Sequence, residues 1–155
     1  MNTTLEQRIQ QLEDRAALKH LIDHFANLAD DKDVANQMFL FTEDAAVDTY
    51  FGDTLFASMR GRDEIGKVFT AFLANFEIVY HMNGQQTVEV NGDKASSIHY
   101  CQVVLISTVD GKKIKNTNGI IYKDEYVRQD GKWLIAKRLA RFTWRDEVEL
   151  KTPNV

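Results

Sequence analysis

The chain has almost no cysteine and almost no proline. Cys101 is its one cysteine in 155 residues, so no disulfide can form within the chain, and the composition suits a reducing compartment. Pro153 is the one proline, set in a polar tail, Lys151–Val155, where a loose end is expected. Excess positive charge is missing too. Nineteen Lys+Arg against 23 Asp+Glu leave a net charge of −4, whereas a nucleic-acid partner is met through clustered basic residues. The longest aliphatic run, Val103–Ile106, is far short of the ~20 residues of a membrane helix. Met1–Gln10 is polar and lacks the apolar segment of a secretory leader. There is no linker-like stretch, repeat or low-complexity tract, and no zinc-ligand spacing, phosphate loop or nucleophile elbow. These absences lead to the expectation of one cytoplasmic domain with no membrane, nucleic-acid, metal or cofactor partner.

What is present is enough apolar and aromatic residue, 44% and 10%, to build a core from a chain of this length. The first half reads as helical. Thr4-Leu-Glu-Gln7 has the pattern of a capping box. Leu5, Ile9, Leu12, Ala16, Ile22, Phe25, Ala26 and Ala29 follow at mostly helical spacing, and the helix should run out near Asp30-Asp31-Lys32-Asp33. A shorter helix is expected at about Val34–Phe41. A third, with Ile65, Val68, Phe69, Phe72, Leu73 and Phe76 on one face, has Asp63 in place to cap it.

From Glu77 the period becomes two. Asn91-Gly92, Asp110-Gly111 and Asp130-Gly131 supply the positive φ of tight hairpins, which predicts antiparallel strands near 78–90, 94–109, 112–128 and 132–146. A shorter pair near 45–51 and 55–60 precedes the third helix. Helices on one side of such a sheet would leave a pocket between the layers. Ala95, Ser97, His99, Cys101, Val103, Leu105 and Ser107 share one face of the second long strand; Ser96, Ile98, Tyr100, Gln102, Val104 and Ile106 share the other. In the last strand Leu134, Ala136, Ala140, Phe142 and Trp144 are set opposite Trp133, Ile135 and Leu139. Neither face is purely polar, so both should be covered: one by the pocket and core, the other by a second copy of the chain.

Few residues stand out as chemistry. His20 and His24 lie four apart, as in a helical metal pair, but no third ligand accompanies them, and a solvated helix face is the reading that accounts for them. His81 opens a strand in apolar surroundings, where an imidazole serves acid–base chemistry; a core histidine bonded to a backbone carbonyl is the plain alternative. Asp30, Asp31 and Asp33 oppose the dipole of the helix they end, which invites a functional explanation.

Together these residues resemble a known family. Leu12-Glu-Asp-Arg-Ala-Ala-Leu, Phe25-Ala, Asp30-x-x-Asp33, Arg60-Gly-Arg-Asp-Glu-Ile65, His81, Val90-Asn-Gly-Asp-Lys-Ala95, Tyr122-x-Asp-Glu-Tyr-Val127 and Asp130-Gly-Lys-Trp133 are similar to the SnoaL-like branch of the NTF2-like superfamily. The resemblance covers about residues 10–146. It implies an α+β fold: a cone-shaped barrel in which a curved, mixed, mostly antiparallel sheet is wrapped by three N-terminal helices. Residues 1–155 would form a single domain with 146–155 as a loose tail.

Within that family the pattern is most similar to dehydratases of the scytalone and bile-acid type, which use an Asp–His pair; Asp30 and His81 match its two members. The Trp133 and Trp144 spacing also resembles the scytalone type. The departures are specific. The tyrosine before the aspartate in bile-acid dehydratases is Phe25 here, and their pocket carboxylate falls near Val103. The second histidine of the scytalone enzymes falls on Leu105, and their Ser and Asn on Ile120 and Tyr122.

The resemblance implies that His81 and Asp30 face each other across the pocket mouth. Asp30 would hold one ring nitrogen while the other takes a proton from a carbon next to a carbonyl and returns it to a leaving hydroxyl. Tyr122, His99 or Asn118 is placed to meet the enolate oxygen; Tyr50 is a weaker candidate, because Thr49 rather than Tyr50 is aligned inward. Phe25, Cys101, Val103, Leu105, Ile120 and Phe142 make the remaining expected lining apolar, which suits a small hydrophobic cyclic substrate. An isomerase or cyclase begins with the same proton abstraction. A non-catalytic ligand-binding module and a structural association subunit are the readings from other classes. A homodimer or homotrimer is the expected assembly.

Overall fold

A computed structural model of the chain describes residues 2–151. Its elements are α1 (Leu5–Asp30), α2 (Val34–Met38), β1 (Phe41–Phe51), β2 (Thr54–Arg60), α3 (Arg62–Leu73), β3 (Ile78–Asn91), β4 (Lys94–Val109), β5 (Lys112–Gln129) and β6 (Lys132–Glu149). The strands form one sheet in the order β2-β1-β6-β5-β4-β3. All pairings are antiparallel except β1 with β6, which run parallel. The fold is the expected NTF2-like cone, although the sheet itself does not close; β2 and β3 are its edges.

Local chemistry explains the frame. Thr4 caps α1 and Gln7 reaches back to the Thr4 N–H, completing the capping box. Asp110 and Asp130 both sit at φ 51°, each followed by a glycine of positive φ, the backbone that two-residue hairpins joining β4 to β5 and β5 to β6 require.

Several boundaries differ from those expected. The second helix stops at Met38, because Phe41 leaves it to pair with Ile135 and bury completely in the core. The third helix is capped by Gly61 at φ 83°, not by Asp63, which lies in its first turn; Phe76 falls beyond its end. The last strand does not loosen at residue 146, since Asp146 to Glu149 pair with Thr117 back to Ile114. Of the expected loose segment Lys151–Val155, residues 152–155 lie outside those described.

The largest difference is in β6. Ala136 and Thr143 have no partners on β5, so each is a bulge, and one extra residue turns every following side chain to the opposite face. Trp133 and Ile135 point inward before the first bulge. Arg138 and Ala140 are buried after it, while Trp144, past the second, lies against the backbone of Gly119, where even a Cβ would collide with the indole. The unbroken alternation expected for this strand is therefore replaced by three short registers.

The interior divides in two. Toward one end, Leu18, Ile22, Phe41, Ile65, Tyr126 and Ile135 pack into a filled core. Asp14 of α1 fixes that end, accepting from Arg128 and from Trp133 Nε1 (3.2 Å), with the Arg128 guanidinium over the Trp133 ring. Toward the other end Val34, Leu73, Val79, Cys101, Val103, Leu105 and Ile120 form a second apolar cluster beside an open cavity.

Candidate active site

The cavity has a volume of about 530 Å³, within the ~300–1,000 Å³ of small-molecule sites. Of the residues expected to line it, Phe25, Val103, Leu105, Ile120, Tyr122, Phe142 and His81 do. His99, Cys101 and Asn118 do not border it. They share the inward face and sit directly across from lining residues, His99 from Tyr122, Cys101 from Ile120 and Asn118 from Val103: His99 stacks on Tyr122 (ring centroids 4.7 Å apart, planes within 17°), Asn118 donates to the Val103 carbonyl (3.4 Å), and Cys101 is packed in the apolar cluster. Burial pushes the Cys101 thiol up to about 12, which leaves it protonated and inert. Thr49, not Tyr50, borders the cavity; Tyr50 lies under the Arg141 guanidinium.

Asp30 and His81 are in direct contact. His81 Nδ1 is 2.7 Å from Asp30 Oδ1, and the His81 backbone N–H donates to both carboxylate oxygens at 3.0 and 3.2 Å. They do not face each other across the mouth: His81 borders the cavity and Asp30 stands behind it. A carboxylate only accepts, so Nδ1 carries the proton and the Nε2 lone pair is left for other partners.

The pair is held by a seam between α1 and the edge strand β3. Arg15 donates to the Val88 carbonyl (3.0 Å), Gln86 to Leu18 (3.5 Å), and Asn83 to the Ile22 carbonyl (3.2 Å) and to Asp23 (3.0 Å). Just past Asp30, Lys32 takes φ 56° and its ammonium meets the Phe76 carbonyl. Asp30 is thus the last helical residue before a sharp turn, and the seam sets its height against β3.

Arg138 is a wall residue that nothing in the sequence pattern marks. It borders the cavity at 2% exposure, because the Ala136 bulge turns it inward. Its guanidinium lies 4.4 Å from the Phe25 ring centroid and 4.6 Å from that of Tyr122, and grips Asp124 through two bonds of 2.8 and 2.7 Å. Tyr126 donates to the same carboxylate (2.9 Å) and pairs with Ser97 (2.7 Å). Burial opposes the Arg138 charge, but Asp124 and its hydrogen bonds more than offset it, so the guanidinium is held more firmly protonated than usual. Burial, chiefly, raises the pKa of Tyr122, so its hydroxyl keeps its proton and can donate. Gln37, Lys67 and the α3 aromatics Phe69 and Phe72 complete wall positions that no periodicity assigned to a pocket.

His99 is a different case. Its Nδ1 is 3.8 Å from Asp124, too far to bond, and has no partner among the described residues. Burial, then the Arg138 charge, pushes its pKa down to about 4 from 6.5. A histidine neutral when folded and protonated when unfolded stabilises fully above pH 6.5, and that contribution is lost as pH falls toward 4. The expected loss is ~3 kcal/mol at ~1.4 kcal/mol per unit. Urea denaturation from pH 7 to 4 should show a shallower fall in His99→Phe, which keeps the stack on Tyr122 without a titrating ring; equal slopes would remove this assignment.

Among the described residues, no helix is long and apolar enough to cross a membrane, and no group of three or more His, Cys, Asp or Glu is gathered to hold a metal. The His20 and His24 rings, both exposed, stack at 5.7 Å on the outer side of α1.

The chain belongs to the SnoaL-like domain family, whose model matches residues 10–139. It is similar to an uncharacterized protein of Mycobacterium tuberculosis, 26% identical over 84% of this chain and 86% of that one. Among solved structures, one similar fold is a protein of Novosphingobium aromaticivorans provisionally assigned as a scytalone dehydratase (TM-score 0.76, 20% identity, 91% of each chain covered). Another is a type 2 hexachlorocyclohexane dehydrochlorinase, LinA (TM-score 0.79, 16% identity, 96% of this chain and 99% of that one).

Proposed function

We propose that the chain is a small-molecule lyase of the dehydratase kind, or an isomerase or cyclase, that acts by proton abstraction next to a carbonyl on a hydrophobic cyclic substrate. The observation that carries this reading is the 2.7 Å His81–Asp30 contact on the wall of a largely apolar cavity. A ligand-binding or structural module has no need of such a contact.

In this reading His81 Nε2 takes the proton from the carbon next to the substrate carbonyl. The C–H pair becomes the enolate, and the ring becomes an imidazolium stabilised by Asp30. For dehydration, the enolate pair then forms the carbon–carbon double bond as the C–O bond to a β-hydroxyl breaks. The imidazolium proton leaves with that oxygen as water. Tyr122 and Arg138 are the donors on the wall for the enolate oxygen. An isomerase or cyclase shares the first step and differs in where the proton or the carbanion goes next.

The test is turnover of a panel of cyclic β-hydroxy ketones followed by mass. Loss of water marks a dehydratase, and product of unchanged mass an isomerase or cyclase. No turnover of any member, with no exchange of its α-hydrogens for solvent deuterium, sinks the reading.

The outer face of the sheet supports self-association. Tyr80, Met82, Ile98, Tyr100 and Trp144 lie there, between 43% and 56% exposed, a concentration of large apolar groups that monomers seldom leave open. Sedimentation should give a dimer or trimer; a monomer at micromolar concentration would remove this part of the proposal.

A further inference from the structure

The first turns of α1 stand clear of the rest of the chain. Every residue from Asn2 to Glu13 is exposed, whereas the buried side of the helix begins at Asp14 and runs on through Leu18, Ile22 and Phe25. At about 100° of turn per residue, Leu5, Ile9, Leu12 and Ala16 lie on the side opposite that core face. Gln7, Gln10 and Gln11 take the side that continues it. The apolar stripe thus changes sides where the helix leaves the domain, so it is not a frayed extension of the core face. Its large side chains are open, Leu5 at 65%, Ile9 at 46% and Leu12 at 68% exposure. A helical stretch this short is marginal on its own in water. The Thr4–Gln7 capping box holds its free end, and nothing among the described residues covers the stripe.

The stripe advances by four, three and four residues, the heptad rhythm of a coiled coil. In that register Leu5 and Leu12 take the d positions, and Ile9 and Ala16 the a positions. Isoleucine at a with leucine at d favours two parallel strands. The flanks point the same way, with Glu6 and Glu13 at e, and Arg8 and Arg15 at g. Arg15 is tied to the Val88 carbonyl of its own chain, but Arg8 and Glu13 are exposed and have no charged partner among the described residues. A parallel pair brings each Arg8 to the second copy's Glu13. An antiparallel pair would set arginine against arginine and glutamate against glutamate.

We infer that α1 is a dimerisation helix, in which Leu5, Ile9, Leu12 and Ala16 pack against the same residues of a second copy of this chain, parallel and in register. The surface is self-complementary, as a two-fold pair requires, and the two domains lie on opposite sides of the helix pair. Past Ala16 the stripe continues as Lys19 and Asp23, which pair within one chain, so the contact ends there. This surface is separate from the outer face of the sheet and from the cavity, and it does not depend on the acid–base reading.

Cysteine cross-linking tests it in the full chain, because Cys101 is buried and an introduced thiol on α1 is the reactive one. All variants carry Tyr100→Lys, which puts a charge on the outer face of the sheet and removes that route to association. Leu12→Cys sets a thiol at d, against its own counterpart in a parallel, in-register pair; Gln11→Cys sets it on the far side of the helix. Both positions are exposed, so both variants should fold. Under mild oxidation at micromolar concentration Leu12→Cys is expected to form a covalent dimer about tenfold faster or more. Equal rates overturn the inference, and so does an antiparallel pair, which would set position 12 against Ile9 and leave the thiol unpaired. Adding Arg8→Glu should slow the cross-link about three- to tenfold, the scale of two exposed ion pairs lost. Adding Glu13→Arg as well exchanges the charges across the pair and should restore the rate; a rate that stays slow overturns the parallel register.

Discussion

His81→Ala is expected to lower kcat by about 10²–10⁴-fold on any ketone the wild type turns over, the range for a positioned general acid–base group, while its urea midpoint stays close to that of the wild type. The two outcomes come from one geometry. The His81 ring borders a cavity already open beside it, so truncation enlarges a space and leaves little packing undone. What disappears is the Nε2 lone pair, the one base on the wall held in a fixed tautomer by a carboxylate. Asp30→Asn completes the test. The backbone N–H of His81 could still meet the amide oxygen, but an amide that turned its nitrogen to the ring would invert the tautomer. A drop in kcat with KM little changed is expected there, because Asp30 stands behind the imidazole and does not border the cavity. Full activity in His81→Ala would end the acid–base reading whatever Asp30→Asn did.

The legible parts of this site are those where chain order and local chemistry coincide. At the end of α1 three carboxylates, Asp30, Asp31 and Asp33, oppose the dipole alike, and His81 opens a strand among apolar neighbours; the family resemblance is what singles out Asp30 and His81 as a pair, and the two come to rest in contact. The hairpins were legible, since Asp-Gly dipeptides state their backbone conformation locally. The inner wall of β6 was not. Its register depends on bulges at Ala136 and Thr143, and neither residue differs from what an unbroken strand would tolerate. Arg138 accordingly reads as one more surface cation, although the fold buries it. His99, Cys101 and Asn118 failed in the opposite sense. Alternation gives their face correctly, but the face extends beyond the cavity, and period-two patterning cannot tell which of its residues border the opening. Gln37 is illegible for a third reason: a short helix of five residues has too few positions for a buried side to show as a period.

Arg138→Met should then be the most destabilising single change in the cavity wall, at about 3–5 kcal/mol, the cost of removing one partner from a buried ion pair. Arg138 and Asp124 side chains are 2% and 0% exposed. The methionine fills much of the same space, so the loss is not mainly a cavity effect; it is the carboxylate of Asp124 left with the Tyr126 hydroxyl as its one remaining listener. Against the ~5–15 kcal/mol that holds a domain together, a loss of this size should be plain in the urea midpoint at pH 7. The double variant Arg138→Met with Asp124→Asn separates charge from packing. Asparagine can still accept from Tyr126 but carries no charge to strand, so the pair of changes should cost less than the sum of the two made singly. If Arg138→Met costs under about 1 kcal/mol, or if the two changes simply add, then the fork is not what keeps Asp124 buried. Arg138 would then owe its place on the wall to its stacking between Phe25 and Tyr122 alone, a cation held for its ligand and not for the fold.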